Sequence, residues 1–466
     1  MGFKVPHQWI PNSSPVIKKL LMDAIGIEDI LDLFSDVPKE LMVNKELNVG
    51  LGKPLSEVEV RRYFKSLTSK NRVFSDPPPF TGGGVCAHYV PSVVKSIIGR
   101  GEFYTAYTPY QPEISQGILQ ALFEYQSLIA ELYGVDVVNA SMYNGSTAAA
   151  EAVRTALRIN KRKRVLIPLN VNPEVYDVIK TWSLGLEVSI ERVGYDSRTG
   201  GVSVNDLEFK LKGGDVSSVY IESPNYFGCV EVRLREIIDT VHRYGAVAIV
   251  NALPISLGVL EAPGKLGADI VVGDAQSLGL GMNFGGPSAG ILGVKDEKLV
   301  TQLPGRLIGA TSDMNKRLGY AMILQAREQH IRRERATSNI TTNSSLMAIA
   351  SAVYLSLLGA DGIKKLGEAI LLRTYYAIKK LSQIDGVKVP LFPEGKYFRE
   401  VPMAVEKHHY IDLHRRLLES GILGGKYIGK EFPELGEACI LCFTEMHSKL
   451  DIDLLTSSIE SVLGGM

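Results

Sequence analysis

The feature that most restricts this chain is a series of short, largely apolar segments that recur between helical stretches from about residue 115 onward. Segments 137–139, 165–167, 187–190, 218–221, 247–250, 270–272 and 290–294 are too short for helices and carry few polar side chains. Neighbouring side chains on a strand point to opposite faces, so a continuously apolar strand has to be buried on both. The intervening stretches, among them 116–133, 146–159 and 235–244, read as the helices that cover it. Short buried strands alternating with helices predict an α/β domain on a mostly parallel sheet.

On either side the pattern changes. Residues 1–75 read as a helical N-terminal arm. Ser14 before Pro15 is a cap followed by proline at the first helical position, and Ile17, Leu20, Leu21 and Ala24 recur at helical spacing until Gly26. A short helix fits 28–34, and Ser56 with Glu59 forms a capping-box pair opening a helix to about residue 67. Asp76-Pro77-Pro78-Pro79 and Gly82-Gly83-Gly84 then interrupt regular structure. The large α/β domain is expected over 76–345. Beyond it come helices at 345–358 and 362–382, strands near Val387 and Pro402, a helix at 411–419, a strand at Cys439 and a closing helix from Asp451. That order predicts a small C-terminal α+β domain over 346–466.

Acidic and basic residues balance at 51 each, so nothing draws the chain to nucleic acid or to an anionic membrane surface. No run of ~18 uninterrupted apolar residues argues for a membrane span. The opening MGFKVPHQWIPNSSP lacks the basic-then-apolar pattern of a secretory signal. A cytoplasmic protein with reduced thiols is expected. Cys439 and Cys442 form a CxxC, but inside the apolar run ACILCF, and no second Cys or His pair stands at ligand spacing. Buried structural thiols, and no metal, are expected.

In an open α/β sheet, ligands bind beyond the carboxyl ends of the strands, and three segments end there. Asn144-Gly145-Ser146-Thr147 follows a strand and opens a helix. A helix N-terminus offers N–H groups to an anion, although the same residues also cap helices for purely structural reasons. Residues 249–252 end a second strand, and residues 268–277 run a third into a loop. This arrangement resembles the fold type I pyridoxal-phosphate (PLP) enzymes. The resemblance puts the cofactor phosphate on the first segment, an aspartate for the pyridine nitrogen on the second, and the Schiff-base lysine on the third. Here Asn251 stands at the aspartate position and Ser277, preceded by Gln276, at the lysine position. Without the carboxylate the pyridinium loses its stabilising charge, and without the amine no internal Schiff base forms. Gly145, Ser146 and Thr147 then read as a vestigial phosphate loop, and the nearest lysines, Lys265 and Lys295, as surface charges.

Longer strings are more specific. They are Cys86-Ala87-His88-Tyr89-Val90-Pro91, the run YTAYTPYQPEISQG from Tyr104 to Gly117, and Ala336-Thr337-Ser338-Asn339-Ile340-Thr341. Pro6-His7-Gln8-Trp9-Ile10-Pro11 and Ala24-Ile25-Gly26 add to them. Together they resemble the P-protein family of the glycine cleavage system over nearly the whole chain, and within it the first subunit of two-subunit glycine dehydrogenases (decarboxylating). The resemblance implies that this chain carries no catalytic residue. A second subunit would hold the lysine and bind PLP covalently, glycine would lose carbon dioxide, and the aminomethyl group would pass to the lipoyl group of H-protein. A heterodimer is expected. His88, Tyr89, Tyr107, Tyr110, Gln111, Glu113, Ser115, Ser338, Asn339 and Thr341 would line the cofactor site at the interface.

Read without the resemblance, these residues leave alternatives open. The tyrosine-rich run is equally a rigid loop packing its own rings, and His88 is equally a histidine satisfied within the fold. Arg332, Arg333 and Arg335 suit a phosphate or carboxylate, but also a solvated helix face. The rival functions are a self-sufficient PLP enzyme using another lysine, and a purely structural partner.

Overall fold

The computed structural model describes residues 9–10, 13–43, 50–51 and 54–465; Pro6, His7, Gln8 and Pro11 of the opening motif lie outside them. The chain divides into two compact units, Met1–Val73 and Phe74–Met466.

The first unit carries helices Pro15–Ile25 and Glu57–Thr68. Gly26 ends the earlier one at φ 82°, a left-handed cap that glycine adopts without steric cost. Ser14 makes no side-chain cap bond, so Pro15 alone marks that start. Ser56 and Glu59 do close the capping box, with Ser56 N–H donating to Glu59 Oε2 over 2.8 Å. The helix expected at 28–34 is a single 3-10 stretch, Ile30–Phe34, begun by Asp29.

The second unit is built on a seven-stranded sheet. Its strands are β1 (Val137–Val138), β2 (Arg164–Pro168), β3 (Ser189–Val193), β4 (Val216–Ser223), β5 (Val247–Ala252), β6 (Ile270–Asp274) and β7 (Gly290–Val294). Their spatial order is β1-β7-β6-β5-β4-β2-β3. β2 to β6 are mutually parallel, and β7 runs antiparallel to both neighbours. Burial on both faces is met residue by residue. Val165, Ile167, Tyr220, Ile249, Ile270 and Val272 pack in one core with the alanine-rich helix Gly145–Asn160. Leu166, Val219, Ile221, Ala248, Val250 and Val271 pack in the other with helices Gln116–Tyr133 and Leu234–Arg243. Full burial of each large aliphatic side chain stabilises the fold by ~1.5–3 kcal/mol. β3 begins later than the sequence suggests, because Glu187 is in the left-handed region at φ 51° and cannot continue a strand.

A hairpin of β8 (Leu307–Ser312) and β9 (Leu318–Ile323) stands apart from this sheet. Most of its residues are not buried, so it lacks the apolar run that announces the other strands. Two glutamines of helix Gln116–Tyr133 hold it by paired backbone bonds, Gln126 to Ile308 and Gln116 to Tyr320.

A second, antiparallel sheet contains β10 (Val387–Lys388), β11 (Glu400–Val405), β12 (Lys426–Tyr427) and β13 (Ala438–Cys442), in the order β10-β11-β13-β12. Residues 80–81 attach to it: Thr81 bridges Leu441, and Cys442 N–H donates to Phe80 O over 2.8 Å. Cys439 and Cys442 lie three residues apart on β13 and so face opposite ways. All four cysteines are buried free thiols. The run Ser345–Leu381 breaks at Gly359 (φ 60°, ψ −175°), which gives the two expected helices. Its length and hydropathy would suit a bilayer, but Ala348, Ile349, Ala350 and Leu355 lie in the core.

Candidate functional site

The carboxyl ends of β4, β5 and β6 bring Glu222, Asn251 and Asp274 to one cavity of about 200 Å³. The β6 loop adds Gln276 and Ser277, the start of helix Gly145–Asn160 adds Gly145 and Ser146, and β11 with the residue before it adds Glu400 and Arg399. Three segments singled out by sequence thus meet, as the sheet rule requires.

No lysine is among the described residues that line this cavity. Ser277 is buried, and its hydroxyl has no hydrogen-bond partner. Asn251 donates to Glu222 Oε1 over 3.2 Å. Lys295 follows antiparallel β7, pairs with Gly134 O, and its own N–H bonds to Asp269 O at the amino end of β6. Lys265 sits beside Glu261 with its side chain 63% exposed. A third lysine, invisible to sequence spacing, reaches the rim: Lys426 Nζ is 3.0 Å from Glu174 and 5.6 Å from the ring centre of Tyr226. Burial opposes its charge, but Glu174 and Tyr226 outweigh that and hold its amine above the usual lysine range.

The cavity is rich in carboxylates. Burial pushes Glu222 up to about 7, against the donors Asn172 N–H, Asn251 and Tyr220 that favour its charge. Arg399, fully buried and left-handed at φ 65°, ties the cavity wall together. Its guanidinium donates to Gly84 O, Glu400 Oε2 and His88 Nε2. Glu400 Oε1 in turn accepts Gly83 and Gly84 N–H, each over 2.8 Å. An arginine can only donate, so His88 Nε2 accepts and its proton sits on Nδ1, 3.0 Å from Glu445 Oε2. Burial opposes the charge on Glu445, but His88 and the Tyr89 N–H outweigh it and keep the carboxyl low. His88 is therefore buried and satisfied within the fold, while the Tyr89 ring is 59% exposed. Gln276 joins the same wall by donating to Cys86 O over 3.0 Å.

Two of the other predicted residues, Tyr110 and Thr341, meet at a residue that sequence reasoning missed. Arg306 is 4% exposed. It donates to Thr108 Oγ1 (2.9 Å), Thr341 O (2.6 Å) and Asn343 Oδ1 (3.3 Å), and lies 5.6 Å from the centre of the Tyr110 ring. One guanidinium thus binds the tyrosine-rich loop to the 336–345 segment. Asn343 and Ser344 extend the contact to Ala140 O and Ser141 Oγ, just before Asn144. Tyr107, Gln111 and Glu113 project from this loop into solvent, and Tyr107 is 88% exposed. Ser115 is half-buried where helix Gln116–Tyr133 begins. Asn339 and Thr341 are exposed, whereas Ser338 turns inward to donate to buried Glu151 over 2.8 Å. Arg332, Arg333 and Arg335 lie on exposed short turns. Neither the tyrosine loop nor residues 336–341 line the cavity. Arg306 had no signal of its own, being one arginine among many outside any motif.

The model of the family described as glycine cleavage system P-protein matches residues 7–457. The chain belongs to that family. It is 48% identical to the probable glycine dehydrogenase (decarboxylating) subunit 1 of Staphylothermus marinus, over 98% of both chains. The protein of the same name from Aeropyrum pernix is 47% identical, over 98% of this chain and 100% of that one. A crystal structure of glycine decarboxylase (P-protein) of the glycine cleavage system, in inhibitor-bound form, superposes with a TM-score of 0.86 at 37% identity, covering 98% of this chain and 99% of that one. A sphingosine-1-phosphate lyase of Burkholderia pseudomallei shares the fold at a TM-score of 0.62 and 11% identity, covering 90% of this chain and 93% of that one. The fold is the PLP fold type I, with a mostly parallel large sheet.

Proposed function

We propose that this chain is the subunit of a two-subunit glycine decarboxylase that lacks the Schiff-base lysine and acts only with its partner. The observation that carries the reading is the cavity at the ends of β4 to β6, where Ser277 and Asn251 stand and no lysine lines the wall among the described residues. Its relatives' designation as subunit 1 supports a second subunit. That subunit binds PLP covalently, and the cofactor supplies the electron sink for decarboxylation. Carbon dioxide is released, and the aminomethyl group goes to lipoylated H-protein.

This chain's part is to shape the shared site. Arg306 fixes the base of the tyrosine loop and leaves Tyr104, Tyr107 and Ile114 exposed. Such rings, held by prolines and a buried guanidinium, lose little freedom when a partner covers them. The second subunit is that partner. Cytoplasmic placement belongs to the same reading and is supported by four unbridged thiols.

The test is glycine–bicarbonate carbon exchange with lipoylated carrier, using this chain, its candidate partner and the two mixed. Exchange is expected from the mixture alone. The isolated chain should be colourless as purified and unlabelled by borohydride, and a cofactor of that preparation fixed by borohydride to any of its lysines would overturn the reading.

A further inference from the structure

The N-terminus of helix Gly145–Asn160 lies where the fold holds a phosphate, yet two of its N–H groups, those of Gly145 and Thr147, are already engaged. Gly145 N–H donates to Asp274 Oδ2 over 2.8 Å. Thr147 N–H donates to Asn144 Oδ1 over 2.9 Å. The other oxygen of Asp274 accepts Gln276 N–H over 2.9 Å and the Ser288 hydroxyl. Asp274 thus puts a carboxylate on Gly145 N–H, the first donor that an anion at this helix start would take. The fit is close as well as charged: a Cβ on Gly145 would lie 2.8 Å from Asp274 Cβ and 3.2 Å from Gly273 O. Glu174, Glu222 and Glu400 line the same cavity. Its one arginine, Arg399, already gives its terminal nitrogens to His88, Gly84 and Glu400. PLP does not fit these residues: its phosphate position is filled, its ring nitrogen would meet an amide, and its aldehyde would meet a hydroxyl.

We infer that Asp274 is the pocket's resident anion, a specificity-determining residue that bars phosphate-bearing ligands from this chain and so confines PLP to the partner. The inference rests on the proposed division of labour and names its physical agent. A ligand that binds only the folded state raises the melting temperature with the logarithm of its concentration. For the unaltered chain, inorganic phosphate should give no rise beyond sodium chloride at equal ionic strength. Asp274→Ala removes the carboxylate and frees Gly145 N–H, so its melting temperature should climb with the logarithm of phosphate concentration. A second measurement needs no variant: phosphorus-31 spectra of the unaltered complex titrated with PLP should show a single bound equivalent per heterodimer. A phosphate-dependent rise of the unaltered chain beyond that in sodium chloride, a second PLP equivalent, or a folded Asp274→Ala chain that takes up no phosphate would each overturn the inference. Should the complex keep glycine exchange while phosphate binds this chain, only the role of Asp274 fails. Loss of exchange from the unaltered mixture counts against the function instead.

Discussion

Glu222 shows what one buried residue adds. Its carboxyl is buried and raised to about 7 from 4.5, so between those values the folded chain holds a proton there that the unfolded chain has released. Stability from this group is complete below the unfolded value and is lost as pH rises through about 7. The difference amounts to ~3 kcal/mol between about pH 5 and pH 8. Urea denaturation at stepped pH should show that fall, and Glu222→Gln should flatten it; an unchanged slope would remove Glu222 from the account. Arg306 is the other residue-scale case. Arg306→Ala strands the Thr341 carbonyl and frees the tyrosine loop, with an expected cost of ~2–4 kcal/mol. Arg306→Lys should recover part of it, since an ammonium reaches fewer of the planar fork's partners. Denaturation midpoints of the two variants decide this.

At the scale of elements, the legible parts were those that pack. The strands of the large sheet are apolar at successive positions, and helix Gln116–Tyr133 carries its apolar stripe in the local sequence. The β8–β9 hairpin was illegible because its stability comes from two glutamines on a distant helix rather than from its own pattern. Gln126→Leu keeps the volume but leaves Ile308 N–H and O unpaired. It should destabilise the chain by ~1–3 kcal/mol and open the hairpin to amide exchange before the rest of the molecule. Equal protection of hairpin and sheet in that variant would show the glutamine to be dispensable.

For the whole molecule, the site divides into an inward and an outward part. The cavity wall of Arg399, Glu400 and Gln276 is tied together by hydrogen bonds within the chain, while Tyr107 at 88% exposed makes no comparable commitment. Tyr107→Ala should therefore leave the melting temperature of the isolated chain within about 1 °C, because surface changes cost within ±0.5 kcal/mol. It should weaken association with the second subunit, read by calorimetric titration of one chain into the other. Unaltered affinity together with unaltered exchange would favour a partner whose tyrosine loop lines nothing.

The sequence alone determined the α/β class and the loop positions at the strand ends. Each is written in residue type or in spacing along the chain, and periodicity carries over directly into which face is buried. Only the tertiary structure decided that Asp274 fills the anion position, that Arg306 joins two distant motifs, and that Ser338 turns inward to Glu151. Those pairings span 129, 35 and 187 residues. No local pattern encodes such contacts, because which polar group meets which is fixed by how the sheet orders its strands.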